Sequence, residues 1–209
     1  MANNNTQHLI TIYKSKNNIL EILEERKFDV SNFSNISINE LGVLYENNQL
    51  DMLVEDGNNK KVYIKYYLNK LIKPQNIYDI IEDLFNLENL LDKKDDLIII
   101  IKDEPNDTLL ETIKNIWMNE NFYISLLNIQ RLQYNLLKHV MVPKHTILNN
   151  DEILEMKKKY NILNNNQLPS ISYYSPVSLV IGLRPNDIVK IDRNSKTALT
   201  SEYFRICRF

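Results

Sequence analysis

The sequence predicts two units, an α/β domain over residues 1–142 and a small α+β domain over residues 143–209. Charge divides the chain in this way. From Pro143 onward ten basic residues face six acidic ones, a balance of +4, while the preceding residues hold fifteen against twenty-one, a balance of −6. The texture changes at the same place: around Lys138–His145, alternating helical and extended patterns give way to a compact segment punctuated by proline. Finally, the first part alternates helix-period and strand-period runs, the signature of an α/β sheet.

In the first unit, Leu9, Ile10, Tyr13, Ile19, Leu20, Ile22 and Leu23 recur every three or four residues, which predicts an amphipathic helix of about five turns. Ser37-Ile38-Asn39-Glu40 reads as a capping box opening a short second helix. Leu50–Val54 and Lys61–Tyr67 are β-rich and are joined by Glu55-Asp56-Gly57-Asn58-Asn59, where Gly and Asn tolerate positive φ, so they form a hairpin. An amphipathic segment from Gln75 to Leu91 follows Pro74, which pre-sets a first helical turn. Asp96-Leu97-Ile98-Ile99-Ile100-Ile101 is unbroken and branched, as suits a centre strand covered on both faces. A helix over Asp107–Met118 and a strand over Phe122–Leu127 complete the unit.

The second unit opens with a helix whose Asp151-Glu152 start and Lys157-Lys158-Lys159 end complement its dipole. Ser175 and Pro176 read as N-cap and first helical residue, with Gly182 at the C-cap. Arg184-Pro185-Asn186-Asp187 is a turn into a strand at Ile188, Val189 and Ile191, which pairs with Tyr203–Arg208.

Composition limits the function. The net charge of −2 excludes a basic nucleic-acid coat, because counterion release needs clustered Lys and Arg. With 44% hydrophobic residues the chain can bury a core and falls outside the disordered range. No apolar run reaches the roughly eighteen residues of a membrane span, and the N-terminus lacks the basic and apolar regions of a secretory signal, so no membrane partner and no secretion are expected. A lone Cys207 excludes internal disulfides and fits a reducing compartment; inside a strand it reads as a small core residue. Heavy use of Asn, Ile, Lys and Tyr with 3 glycines suggests an A/T-rich coding genome. So few glycines make a phosphate-cradling loop hard to build, and no small-molecule substrate or cofactor is expected.

His139-x-x-Val142-Pro143-x-His145, Glu152, Tyr160, Gln167-Leu168-Pro169-x-Ile171, Pro176-Val177, Gly182, Val189-Lys190-Ile191-x-Arg193-x-Ser195-x-Thr197-Ala198 and Tyr203-x-Arg205 occur in order. This string, about seventy residues long, resembles the C-terminal assembly domain of the fifth common subunit of eukaryotic RNA polymerases, a family whose archaeal members lack the jaw. The preceding residues resemble the eukaryotic jaw domain in the order of their elements. The resemblance implies a restriction-nuclease-like sheet with helices for the jaw and an α+β assembly domain. It implies a non-catalytic subunit, built onto the largest polymerase subunit and contacting other subunits, with its jaw beside downstream DNA.

On that resemblance the expected partner-binding residues are Pro143, His145, Gln167, Leu168, Pro169, Pro176, Arg184, Lys190, Arg193, Ser195, Thr197, Tyr203 and Arg205. Lys102, Pro105 and Asn106 match by position the loop that approaches the duplex. Because Asp103, Glu104 and Asp107 outnumber Lys102 there, DNA contact is expected to be weak and confined to the complex. Four positions depart from the family: Ser170 replaces an Arg, Ser175 an acid, and in Ser195-Lys196-Thr197-Ala198-Leu199, which stands for Ser-Glu-Thr-Ala-Gly, Lys196 replaces the Glu and Leu199 the Gly. With the A/T-rich usage, these departures suggest a divergent polymerase from a large DNA virus or a protist. The expected location is then the nucleus, or the virion and host cytoplasm.

His139 and His145 have no thiol or carboxylate at metal spacing and read as structural, and Arg184, Lys190, Arg193 and Arg205 could form a solvated face. The alternative function is a free-standing DNA-binding or degenerate nuclease-like module. Asp51 and Tyr63-Ile64-Lys65 sit where a nuclease holds Mg²⁺, but Tyr63 occupies the place of the second carboxylate and cannot supply its charge.

Overall fold

A computed structural model describes residues 2–34 and 36–209. The chain divides into two compact units, Met1–Asn135 and Leu136–Phe209.

The first unit begins with helix α1 (Ala2–Glu25), which buries Ile12, Ile19, Leu20, Ile22 and Leu23. Ile10, counted with the apolar stripe in the sequence, is exposed, and Ile12 faces inward instead. Lys27 at φ 70 turns the chain into a two-residue strand, β1 (Phe28–Asp29), which has no periodicity to betray it. The Ser37 capping box forms as read: Ser37 Oγ accepts from the Glu40 N–H, and the Glu40 carboxylate accepts from the Ser37 N–H at 2.8 Å, opening α2 (Ile38–Glu46). Strands β2 (Met52–Asp56) and β3 (Lys61–Tyr67) form the hairpin, with Asn59 at φ 59. Helix α3 (Pro74–Ile81) runs on as a π-helical turn over Glu82–Leu87, so the amphipathic segment stops short of Leu91. Then come β4 (Asp96–Ile101), α4 (Asp107–Glu120), stopped by Asn121 at φ 61, and β5 (Tyr123–Asn128).

The sheet order is β1-β2-β3-β4-β5, antiparallel as far as β3 and parallel from β3 to β5. Every residue of β4 is buried, as its unbroken apolar run requires. The exception in chemistry is Asp96 at the strand's start: fully buried, it accepts from Arg26 at 2.5 Å and from Lys60 at 3.0 Å. Two cations thus neutralise a carboxylate that could not otherwise be buried.

In the second unit, β6 (Lys144–Ile147) leads into α5 (Asn150–Lys159), capped reciprocally by Asn149 and Glu152. Strand β7 (Ser170–Ser172), helix α6 (Pro176–Ile181) and the long hairpin β8 (Ile188–Ser195) and β9 (Leu199–Arg208) follow. Gly182 closes α6 at φ 72 as read, whereas the Ser175 side chain makes no capping bond although it holds the N-cap position. The sheet order is β6-β8-β9-β7, with only the β7–β9 pair parallel. Met156 of α5 packs with Leu168, Ile188 and Ile206. The unit starts at Leu136 rather than after residue 142, because the 3-10 turn Leu136–Lys138 lies against α6.

Candidate partner-binding surface

Register sorts the expected residues of the second sheet onto two faces. Opposed residues of an antiparallel pair share a face, and alternate residues along a strand do too. The row His145–Ile191–Tyr203 therefore lies between the rows Ile147–Val189–Arg205 and Arg193–Ser201, all on one face. Lys190, Asp192, Glu202, Phe204 and Ile206 point to the opposite face, where α5 packs.

On the first face the Arg193 guanidinium sits over the Tyr203 ring, 5.1 Å from its centroid, and Tyr203 remains 47% exposed. His145 is half-buried, with Nδ1 2.7 Å from the Pro143 carbonyl. Burial holds its pKa below the ordinary histidine value, and the positive charge of Arg193 acts in the same direction against the hydrogen bond to Pro143. Arg205 donates to the Ser170 carbonyl at 2.9 Å, tying β9 to β7. Cation, aromatic ring and imidazole are thus gathered on one face of the sheet.

Lys190 is separated from this group. It lies 3.5 Å from both Asp192 and Glu202, and Glu202 also meets Lys159 of α5 at 3.3 Å. Asp192 first and then Glu202 raise the Lys190 pKa against the cost of desolvation. The four cations grouped in the sequence therefore do not form one patch. Arg184, in the turn before β8, donates its N–H to Asp187 Oδ2 at 2.9 Å.

Other expected residues shape the backbone. Gln167 Oε1 accepts from the Leu163 and Asn164 N–H groups at 2.8 and 3.2 Å, closing the loop after α5. Leu168 is core, the Pro169 carbonyl accepts from the Ile206 N–H, and Pro176 begins α6 with its ring exposed. Ser195 Oγ lies 3.3 Å from the Ala198 N–H and 3.4 Å from both the N–H and hydroxyl of Thr197, so these two residues build the β8–β9 turn. Leu199, at the position of the family's glycine, has φ 58 and is 86% exposed. Cys207 is fully buried, and burial pushes its thiol pKa up to about 12.

In the first unit, Asp51 accepts from Tyr63 Oη at 3.2 Å, Lys65 Nζ at 3.2 Å and the Tyr66 N–H at 3.0 Å. These three donors satisfy the carboxylate. Among the described residues no three His, Cys, Asp or Glu side chains come together in a metal-binding group. The loop after β4 is less acidic than its sequence suggests. Arg131, distant in sequence, grips Glu104 through two bonds of 3.0 and 2.8 Å, and Lys70 lines one small cleft with Lys102. Asn106 is occupied as the N-cap of α4, accepting from the Leu109 N–H at 3.1 Å, while Lys102 is exposed and Pro105 half-buried. No local signal connects Arg131 or Lys70 to this loop; only the fold does.

Residues 134–207 match the family model described as RNA polymerase Rpb5, C-terminal domain. The subunit Rpo5 of the DNA-directed RNA polymerase of Thermococcus kodakarensis is 39% identical over 74 residues, which are 35% of this chain and 89% of that subunit. The chain belongs to the Rpb5/Rpo5 family of RNA polymerase subunits. Its similarity to DNA-directed RNA polymerase V subunit 5A of Arabidopsis thaliana extends further, at 24% identity over 200 residues, or 92% of this chain and 86% of the relative. DNA-directed RNA polymerases IV and V subunit 5B of the same plant is 26% identical over 186 residues, 86% of this chain and 81% of that one. As a member of the Rpb5/Rpo5 family the protein is a non-catalytic subunit of a DNA-directed RNA polymerase, with an Rpb5 C-terminal domain in a mixed α/β chain.

Proposed function

We propose that the second unit is the assembly domain, which anchors the protein to the largest polymerase subunit, and that the first unit is a jaw beside downstream DNA. The observation that carries this reading is the extent of the archaeal similarity. The Thermococcus subunit is matched over 89% of its length by 35% of this chain. What that subunit shares with this protein as a component of a polymerase therefore lies in this stretch. The surface around Arg193, Tyr203, His145 and Arg205 is its best-built contact, and Pro143, Gln167, Leu168, Pro169, Pro176, Ser195 and Thr197 position it by holding the backbone.

The jaw reading rests on the Arabidopsis similarity, which runs through both units, and on the open α/β sheet of the first. Lys102, with Lys70 beside it, offers the cationic group for a phosphate there, and Arg131 offsets Glu104. Contact of this size adds little affinity outside the complex. A subunit of a eukaryotic-type polymerase works where the template is, in the nucleus. Purification from the natural source tests the proposal: the protein elutes with polymerase subunits at several hundred kilodaltons. Elution as a free chain of 24.8 kDa contradicts it.

A further inference from the structure

The two edges of the second sheet are treated differently. At β7 the carbonyls are taken: Ser170 accepts from Arg205 at 2.9 Å, and Ser172 accepts from Ser178 Oγ at 2.8 Å and from the Ser175 N–H at 3.1 Å. In the first sheet, β1 has only two residues and every residue of β5 is buried. Strand β6 lacks such cover.

The geometry of β6 follows from one bond. The Leu148 N–H donates to the Ile188 carbonyl at 3.0 Å, so in this antiparallel register the 146–190 and 144–192 pairs are the hydrogen-bonded ones. The N–H and C=O groups of His145 and Ile147 then point away from β8. The Ile206 N–H, aimed from β9 toward Pro169, obeys the same alternation. Among the described residues no backbone group meets the outward amides of His145 and Ile147. Just before the strand stand Val140, 97% exposed, and Met141, 81% exposed, while Ile147 within it is 38% exposed. Proteins guard open strand edges with charges, bulges or covering elements, and one lysine, Lys144, is the guard present here.

We infer that β6 is completed by an extended segment of the largest polymerase subunit, which adds a fifth strand to the second sheet. The occupant pairs with the outward groups of His145 and Ile147 and carries apolar side chains toward Ile147, Val140 and Met141. Charge selects it: the part of the chain from Pro143 onward is +4, Lys144 lies on the edge and Arg193 one strand in, so the segment carries carboxylates. This inference rests on the assembly reading above and specifies its geometry.

The test uses the full chain with the purified largest subunit. Ile147→Pro removes an outward N–H and leaves the ladder bonds to β8 intact, whereas Ile147→Ala removes the side chain and keeps the N–H. The proline variant should bind at least about tenfold more weakly than the alanine variant, with an unchanged melting temperature. In the wild-type complex, hydrogen exchange at the His145 and Ile147 amides should slow at least about a hundredfold relative to the free chain. Unchanged exchange at both amides overturns the inference even if the proline variant fails to fold. A dimer of the free chain that protects the same amides overturns it as well. Loss of binding in Arg193→Ala together with full binding in Ile147→Pro retains the assembly reading and rejects the added strand. Failure of the wild-type chain to bind rejects both.

Discussion

Arg193 on β8 lies with its guanidinium 5.1 Å above the ring of Tyr203 on the neighbouring strand, and the pair is held there by sheet register rather than by loop geometry. The stack pre-orients a planar fork whose remaining donors can take a carboxylate of another subunit. Arg193→Ala should weaken association with the largest subunit by about 2–5 kcal/mol, because it leaves the partner's charge unpaired in the contact. The fold should lose under about 1 kcal/mol, since the stack is exposed. Binding titrations alongside thermal melts separate the two.

Arg205 behaves differently. Its bond to the Ser170 carbonyl makes it a brace between β9 and β7, whereas Arg193 stacks on Tyr203. Arg205→Ala should lower stability by about 1–2 kcal/mol as well as weakening assembly. A melt indistinguishable from wild type contradicts the brace.

Leu199 occupies a left-handed conformation, φ 58, at the tight turn between β8 and β9. A non-glycine residue there costs about 1–2 kcal/mol, part of which glycine recovers at the expense of a more flexible unfolded chain. Leu199→Gly should therefore stabilise the protein by about 0.5–1 kcal/mol in chemical denaturation. Because the side chain is 86% exposed, no packing loss offsets the gain.

Asp96 is a fully buried carboxylate shared by two cations. Removing its carboxylate leaves Arg26, with a side chain 11% exposed, and Lys60 without their shared counter-charge. Asp96→Ala should destabilise by about 3–5 kcal/mol, measured as a fall in the denaturant midpoint.

His145 gives a pH dependence of definite sign. Burial first and Arg193 second lower its folded pKa, so below the ordinary histidine value, about 6.5, the unfolded chain binds more protons than the folded one. Its contribution is complete above that value and is lost as pH falls through it toward the lower folded pKa. Melting temperatures recorded from pH 8 to pH 5 should fall less steeply for His145→Gln than for wild type.

Much of the fold was legible in the chain because local chemistry and tertiary demand agree there. Ser37 with Glu40, the apolar run Asp96–Ile101, and Gly182 each specify one structure at short range. Strand β1 was not legible, since two residues show no period, and its pairing with β2 depends on the turn at Lys27. The π-helical end of α3 was hidden because apolar spacing alone does not distinguish it from an α-helix. At the candidate surface, residue types were readable but not their grouping. Lys190 and Arg193 are three apart in a strand, so they face opposite ways, and only register shows that Tyr203 and His145 accompany Arg193. Arg131 reaches Glu104 across 27 residues, a pairing with no short-range signature.

Attachment to the polymerase is proposed to lie in the second unit. The most direct measurement offers residues 136–209 and residues 2–135 separately to the largest subunit and compares each with the full chain. The second unit has its own sheet and core, and the Thermococcus subunit, matched over 89% of its length, is made almost entirely of the equivalent stretch. Residues 136–209 should therefore bind within about tenfold of the full-length affinity, and residues 2–135 should show no measurable binding. Retention of the largest subunit by residues 2–135, with none by residues 136–209, contradicts the account.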